Sequence, residues 1–235
     1  MVFDLEVPDV KIVVATRVDA SSFLTETALG KSLQAMARKL PRFKIRIFAN
    51  NTQGLPVIYN TVINESKDDP SILVFIHDDA YICDFFLRQS LVSGLDEFEI
   101  IGLAGNKRRV PRQPSWAFVD DKFTWDRPEN LSGSVGHGTG ITDYKLSSYG
   151  ESSQEVKLLD GLLIACHSNT LLSNDIWFDE RFDFHFYDLD FCRQAETKGL
   201  KMGTWPISVI HESGGAFGSP PWKESYAKYV EKWVD

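Results

Sequence analysis

The sequence is poor in the residues that cross-link or anchor a chain. Its 235 residues hold three cysteines, Cys83, Cys166 and Cys192, widely spaced and odd in number. No CxxC pair exists, which argues against a disulfide framework and a cysteine-built zinc site and fits a reducing, intracellular setting. No apolar run approaches the roughly 20 residues that a membrane span needs; the longest, such as Ile72–Ile76, are of strand length. The opening MVFDLEVPDVK is acidic and has neither the basic flank nor the apolar run of a secretion signal, so the expectation is a soluble, cytoplasmic protein. Positive charge is also in deficit. The 25 Lys and Arg stand against 33 Asp and Glu, a net charge of −8, the wrong sign for a chain whose main partner is nucleic acid. No internal repeat is visible. What remains is a globular composition, 43% hydrophobic and 25% charged, with enough chain for one or two domains and a core that needs no cross-links.

The first hundred residues alternate short apolar runs with helix-like segments. Val10–Ala15 is β-branched and continuous, as a strand buried on both faces requires. Ser21 or Ser22 is placed to cap a helix carrying Leu29, Leu33, Met36, Ala37 and Leu40 at helical spacing, and Pro41 ends it. Ile45–Phe48 reads as a second strand, Ile72–Ile76 as a third and Ile100–Leu103 as a fourth. Helices are expected from Pro56 to about Ser66 and near Phe85–Leu95. Repeated strand–helix units predict an α/β fold with a doubly wound, largely parallel sheet, which binds ligands beyond the carboxyl ends of its strands. That rule points to Thr16-Arg17, Asn50-Asn51 and His77-Asp78-Asp79.

Residues 105–155 lack periodicity and read as a long irregular stretch, with LSGSVGHGTG at 131–140 the most loop-like part. Its basic opening, Lys107, Arg108, Arg109 and Arg112, is either a solvated loop or a contact to an anionic ligand. Order resumes at Lys157–Ala165, in a helix over Asp188–Lys198 and in a strand at Ile207–Ile210. An amphipathic tail, Lys223–Val234, either packs as a last helix or mediates dimerisation.

Three clusters carry chemistry. His77, Asp78 and Asp79 follow a five-residue apolar strand, and offer nitrogen and oxygen ligands suited to Mg, Mn or Zn ions. Two adjacent acids at a buried strand end repel unless a cation or donor neutralises them, although Asp is also common in plain turns. The second cluster, FDERFDFHFYDLDFC from Phe178, interleaves five acids with aromatics, so part of it is buried and some carboxylates face a cleft. Asp188 stands at the helix start, where the dipole favours an ionised carboxylate able to act as a general base. The third is His211, followed by a glycine-rich segment able to fold over a ligand. His137, His167 and His185 have no comparable context and read as structural.

The order KIVVATR, GLPVIYN, ILVFIHDDA, LLDGLLIACH, FDFHFYDLDFCRQAETKGL and VIHESGG resembles the family 2-like glycosyltransferases, in particular their compact, non-processive branch. The resemblance implies a GT-A fold, Rossmann-like with a mostly parallel central sheet flanked by helices. It implies a single domain over 1–235, with a nucleotide-binding half at 1–105 and an acceptor and catalytic half at 106–235. It further implies transfer of a sugar from a nucleotide-sugar, a UDP-sugar, to an acceptor hydroxyl with inversion, assisted by a divalent ion, Mn2+ or else Mg2+. Position by position, it places Thr16 and Arg17 at the nucleotide, Asn50 or Asn51 at the uracil and ribose, Asn60 near the base and Asp78 at the ribose. The metal falls to Asp79 with His77 and His211, the donor sugar and acceptor to Asp160 and Gly161, and the catalytic base to Asp188. The sequence departs from the family pattern in three places: His77 for the first Asp of the metal motif, Tyr187 for the Glu before the base, and Tyr59 for an Arg before Asn60. These departures also admit a protein that binds UDP and metal without turnover. A metal-dependent hydrolase built on His77, Asp79 and His211 is a third reading. No QxxRW motif is present, which argues against a processive synthase. The glycine-rich segments 131–140 and 212–220 are the expected lids.

Overall fold

The apolar run Val10–Ala15 forms β1, and the computed structural model, which describes residues 9–36 and 43–234, buries it between β2 (Phe43–Phe48) and β3 (Ile72–Ile76). Both neighbours run parallel to β1. Sequence order then breaks. Strand β11 (Leu163–His167) inserts antiparallel between β3 and β5 (Ile100–Gly102), and β12 (Met202–Thr204) pairs parallel with β5. The sheet closes with β9 (Glu155–Val156), antiparallel to β12, in the order β2-β1-β3-β11-β5-β12-β9. Five of its seven strands therefore point one way, with β11 and β9 against them.

Helices cover this sheet where the sequence offers apolar stripes: α1 (Phe23–Glu26), α2 (Ala28–Met36), α3 (Leu55–Glu65), α4 (Leu87–Glu97) and the short α5 (Ser168–Ser173). Pro56 lies in the first turn of α3, where its missing N–H costs nothing. The helix carrying Leu29, Leu33 and Met36 is α2, and its cap is Thr27, whose Oγ1 accepts from Gly30 N–H, in place of Ser21 or Ser22. Asp19 braces the turn before α1, its carboxylate accepting from Ser21 N–H and Ser22 N–H. Ala37, Leu40 and Pro41 lie outside the described residues.

The middle of the chain corrects the reading of an irregular stretch. Residues 131–140 are a ten-residue strand, β7 (Leu131–Gly140), within a second sheet. That sheet runs β10 (Leu158–Leu159), β6 (Ala104–Asn106), β7, β13 (Val209–His211), β4 (Ala80–Ile82), and β8 (Asp143–Gly150) pairs with β7. Side chains do not announce β7 because its neighbours need it bare. Gly133 has φ +92°, and a Cβ there would land on the Leu103 carbonyl. Within the basic run, Arg108 pairs with buried Asp126 and Arg109 with Glu196, so the chain's own acids answer these two charges.

The tail forms α7 (Pro220–Lys232), capped by Ser219 accepting from Trp222 N–H. It packs on the domain through Trp222, Ser225 and Tyr229. Its aromatic rings hold Phe186, which sits against Trp222, Tyr226 and Tyr229. Phe186 adopts φ 69°, a left-handed conformation that costs a bulky residue about 1–2 kcal/mol. That turn launches α6 (Tyr187–Thr197), so α7 fixes the entry of the helix bearing Asp188.

Candidate active site

Strand β3 ends at Ile76 and β4 begins at Ala80, so His77, Asp78 and Asp79 fill the turn between the two sheets. The turn is held by its backbone. His77 N–H donates to the Leu162 carbonyl, Leu29 N–H to Asp78 O, and Glu212 N–H to Asp79 O. Antiparallel pairing of β13 with β4 sets His211 opposite Ala80, beside Asp79. The cluster is thus a product of register.

His211 Nε2 lies 3.3 Å from Asp79 Oδ2, and His77 Nδ1 lies 4.0 Å from Asp79 Oδ1. One ligand atom from each of the three residues falls within 4.8 Å of the others. Asp79 Oδ1 is buried with no hydrogen-bond partner. Burial pushes the Asp79 carboxyl up, but the His211 hydrogen bond and the charges of His211 and His77 outweigh it and hold the group below its usual value. His77 is shifted down, first by burial. Its tautomer follows from its partner. Tyr187 Oη donates its only proton to the Gly161 carbonyl at 2.8 Å, so His77 Nε2, 2.9 Å from the same oxygen, must be the donor. The lone pair then sits on Nδ1, toward Asp79. Two imidazole nitrogens and a carboxylate with an unanswered buried oxygen fit a divalent transition-metal ion.

Two clefts meet at this cluster. The larger, about 1020 Å³, is lined by Thr16, Arg17, Asn50, Asn51, His77, Asp78 and Asp79, the three strand ends singled out by the sequence, with Asp183 and Phe184 opposite. Thr16 is buried, and Asn50 takes φ 49° in the turn after β2. The Asn51 side chain braces that turn, donating to Gln53 O and accepting from Gln53 N–H. Asn60 lines neither cleft: its amide spends both ends on Phe178 and Glu180, tying α3 to the segment before α6.

The smaller cleft, about 620 Å³, contains His77 and His211 at one end and Asp160, Gly161 and Asp188 along its floor. Asp160 Oδ2 accepts from Trp116 Nε1 at 2.6 Å and Oδ1 from Leu162 N–H. Asp188 Oδ2 accepts from Gly161 N–H at 3.0 Å, and Oδ1 from Leu189 N–H. Gly161 is required by closeness: a Cβ there would stand 2.5 Å from Tyr187 Oη. The helix start does not leave Asp188 with an ordinary carboxylate. Burial, and next the Asp160 charge, push it up to about 7 despite its backbone N–H donors. Asp190, one turn-face away, is wholly buried and structural, accepting from Gln194 Nε2, Trp233 Nε1 and Lys232 Nζ, each at 2.7 Å.

Sequence reasoning missed His137. Parallel pairing of β13 with β7 sets it opposite His211, in the smaller cleft, with its Nε2 3.2 Å from Tyr149 Oη. It also missed the part of that cleft's aromatic wall built by Trp116, Phe118 and Trp125, whose trace in the sequence is the density of Trp and Phe over 116–125.

A family model described as a glycosyltransferase-like family matches residues 43–231, most of the chain. No curated protein matches in sequence. Among solved structures, GalNAc-T7, determined with UDP, GalNAc and Mn2+, is similar at TM-score 0.54 and 13% identity, over 99% of this chain and 49% of that one. TarS of S. aureus, residues 1–349, is similar at TM-score 0.48 and 13% identity, over 94% of this chain and 64% of that one. The chain therefore spans less than two thirds of these solved chains: 49% for GalNAc-T7 and 64% for TarS 1–349. The likeness to GalNAc-T7 shows the fold, GT-A.

Proposed function

Because the chain belongs to the glycosyltransferase-like family, we propose that it moves a sugar from a UDP-sugar to an acceptor hydroxyl, with inversion and with a divalent ion. The observation that carries this reading is the His77–Asp79–His211 cluster, placed where the two clefts meet and holding a buried carboxylate oxygen without a partner. The nucleotide takes the larger cleft, against Thr16, Arg17 and the Asn50–Asn51 turn, with its ribose at Asp78. Its diphosphate reaches the cluster. Mn2+ is favoured over Mg2+ because two of the three ligands are imidazoles, and when bound it offsets negative charge on the departing diphosphate. Such a donor agrees with the UDP and Mn2+ found with GalNAc-T7.

The acceptor takes the smaller cleft. Asp188 removes the proton from its hydroxyl as that oxygen attacks the anomeric carbon, and Asp160 and Gly161 hold Asp188 and the sugars in line. A single displacement inverts configuration. The test is a screen of nucleotide-sugars with Mn2+ or Mg2+, reading thermal shift, released UDP and transferred sugar. Metal-dependent UDP release with at least one donor is expected. Absence of metal-dependent UDP binding overturns the reading, and tight binding without release to any acceptor leaves a UDP-binding protein.

A further inference from the structure

Resting on that reading, the smaller cleft identifies the class of acceptor. Trp125 is 54% exposed, which is unusual for the largest apolar side chain, yet its ring is fixed on several sides. Trp116 meets it edge-on at 6.5 Å, Phe118 edge-on at 5.2 Å, and Tyr149 lies near-parallel at 6.0 Å. Trp125, Trp116, Phe118 and Tyr149 all line the cleft that contains Asp160 and Asp188. Trp116 joins the two features physically, since its Nε1 is the donor on Asp160 Oδ2.

We propose that this cleft binds a neutral saccharide, one pyranose ring stacking its C–H face on Trp125 while its hydroxyls donate to Asp160 and Asp188. A sugar ring presents such a pair of surfaces, one apolar and one rimmed with O–H donors. A pre-ordered indole accepts the first without further loss of side-chain freedom. Carboxylates accept the second strongly. Other occupants lack one of these matches. An anionic ligand meets Asp160, and Asp188 once it ionises, whereas Arg108 and Arg109 are paired with Asp126 and Glu196 and line neither cleft. A lipid chain meets flat aromatic rings and acids instead of an aliphatic tunnel. About 620 Å³ lies within the ~300–1,000 Å³ of small-molecule sites and leaves room for more than one ring.

The test uses the full chain labelled with 15N, in which the Trp125 indole N–H resonance is assigned by its loss in Trp125→Phe. The probes are the methyl β-glycosides of glucose, galactose and N-acetylglucosamine, then cellobiose, lactose and chitobiose, with methyl glucuronide as the anionic control. At least one neutral probe should shift the Trp125 resonance saturably and bind more tightly than the glucuronide. Trp125→Ala should weaken that probe at least tenfold, with Trp125→Phe retaining most of the binding. Melting curves matching the parent establish that both variants are folded. No shift by any neutral probe, equal binding by Trp125→Ala, or preference for the glucuronide overturns the proposal. A UDP titration with Mn2+ on the same parent protein separates the two readings. UDP binding without a saccharide on Trp125 overturns only the subsite, whereas a saccharide on Trp125 without UDP binding overturns only the transfer reading.

Discussion

Asp188 carries opposing demands, because the burial that aims it at the smaller cleft also makes its proton hard to lose. With its carboxyl raised to about 7, transfer should climb with pH through neutrality and level off above it, which a rate profile at saturating Mn2+ and donor checks. Asp188→Asn should lower transfer by roughly 10²–10⁴-fold with UDP binding kept. The same shift has a stability consequence. A carboxyl raised in the folded state binds its proton more tightly there than when unfolded, so its contribution falls as pH rises from about 4 to about 7. In chelator, the stability of the parent relative to Asp188→Asn should therefore decline across that window, by at most about 1.4 kcal/mol per pH unit. A flat difference in denaturant titrations would count against the shifted carboxyl. Tyr187 acts through His77. Tyr187→Phe removes the acceptor that fixes Nε2–H, and Mn2+ affinity measured by calorimetry should fall roughly 10–100-fold, as for other outer-shell partners.

Helix α7 matters to the site although it lies outside both strand sheets. Lys232 reaches from it to Asp190 and Asp179, and Asp190 is wholly buried at the root of α6. Lys232→Met should destabilise the chain by about 3 kcal/mol, since it leaves a buried carboxylate short of its cation. Urea unfolding measures this, and Asp190→Asn in the same background should recover part of the loss. Strand β7 makes a different prediction. Its amides lie between β6, β13 and β8, so hydrogen exchange over 131–140 should be slow with or without ligand. The segment 212–219, which forms no helix or strand and is mostly exposed, should exchange fast and slow down with UDP and Mn2+. Equal exchange in 212–219 under both conditions would remove it as a lid.

At the scale of the molecule, the chain passes from one sheet to the other at the β3–β4 turn, and the metal-type cluster forms where His211 of β13 meets that turn. A ligand bridging both clefts should therefore stabilise the whole fold. At 100 times its dissociation constant, UDP with Mn2+ is worth about 2.7 kcal/mol, or a rise in Tm of roughly 5–10 °C for a chain of this size. EDTA or Asp79→Ala should abolish that rise, and a rise that survives either would place the nucleotide elsewhere. Among the described residues, no helix is long and apolar enough to cross a membrane.

How much of this was legible depends on what kind of interaction placed each residue. Strands β1 and β3 are continuous apolar runs buried on both faces, so local sequence alone locates them, and with them the strand ends at Thr16 and His77. The helix start at Asp188 was legible because an amphipathic pattern flanked by aromatics marks it. Strand β7 was not, because glycines chosen for close backbone approach erase the alternation that marks a strand. The bonds of Asn60 were not legible, because a polar side chain on a helix is equally able to face a ligand or to clamp a neighbouring segment, and only the position of Phe178 decides. By itself the sequence determined the parallel half of the sheet, the His77–Asp79 turn and the acidic start of α6, all matters of local pattern. Tertiary structure alone decided that β13 pairs with both β4 and β7, the register by which His211 comes to Asp79, as the resemblance implied, and His137 comes to His211. It also decided that burial beside Asp160 raises Asp188 and that Trp125 stands exposed on an aromatic frame. Register between distant strands and the desolvation of a charge depend on what packs alongside, and no window of sequence contains that.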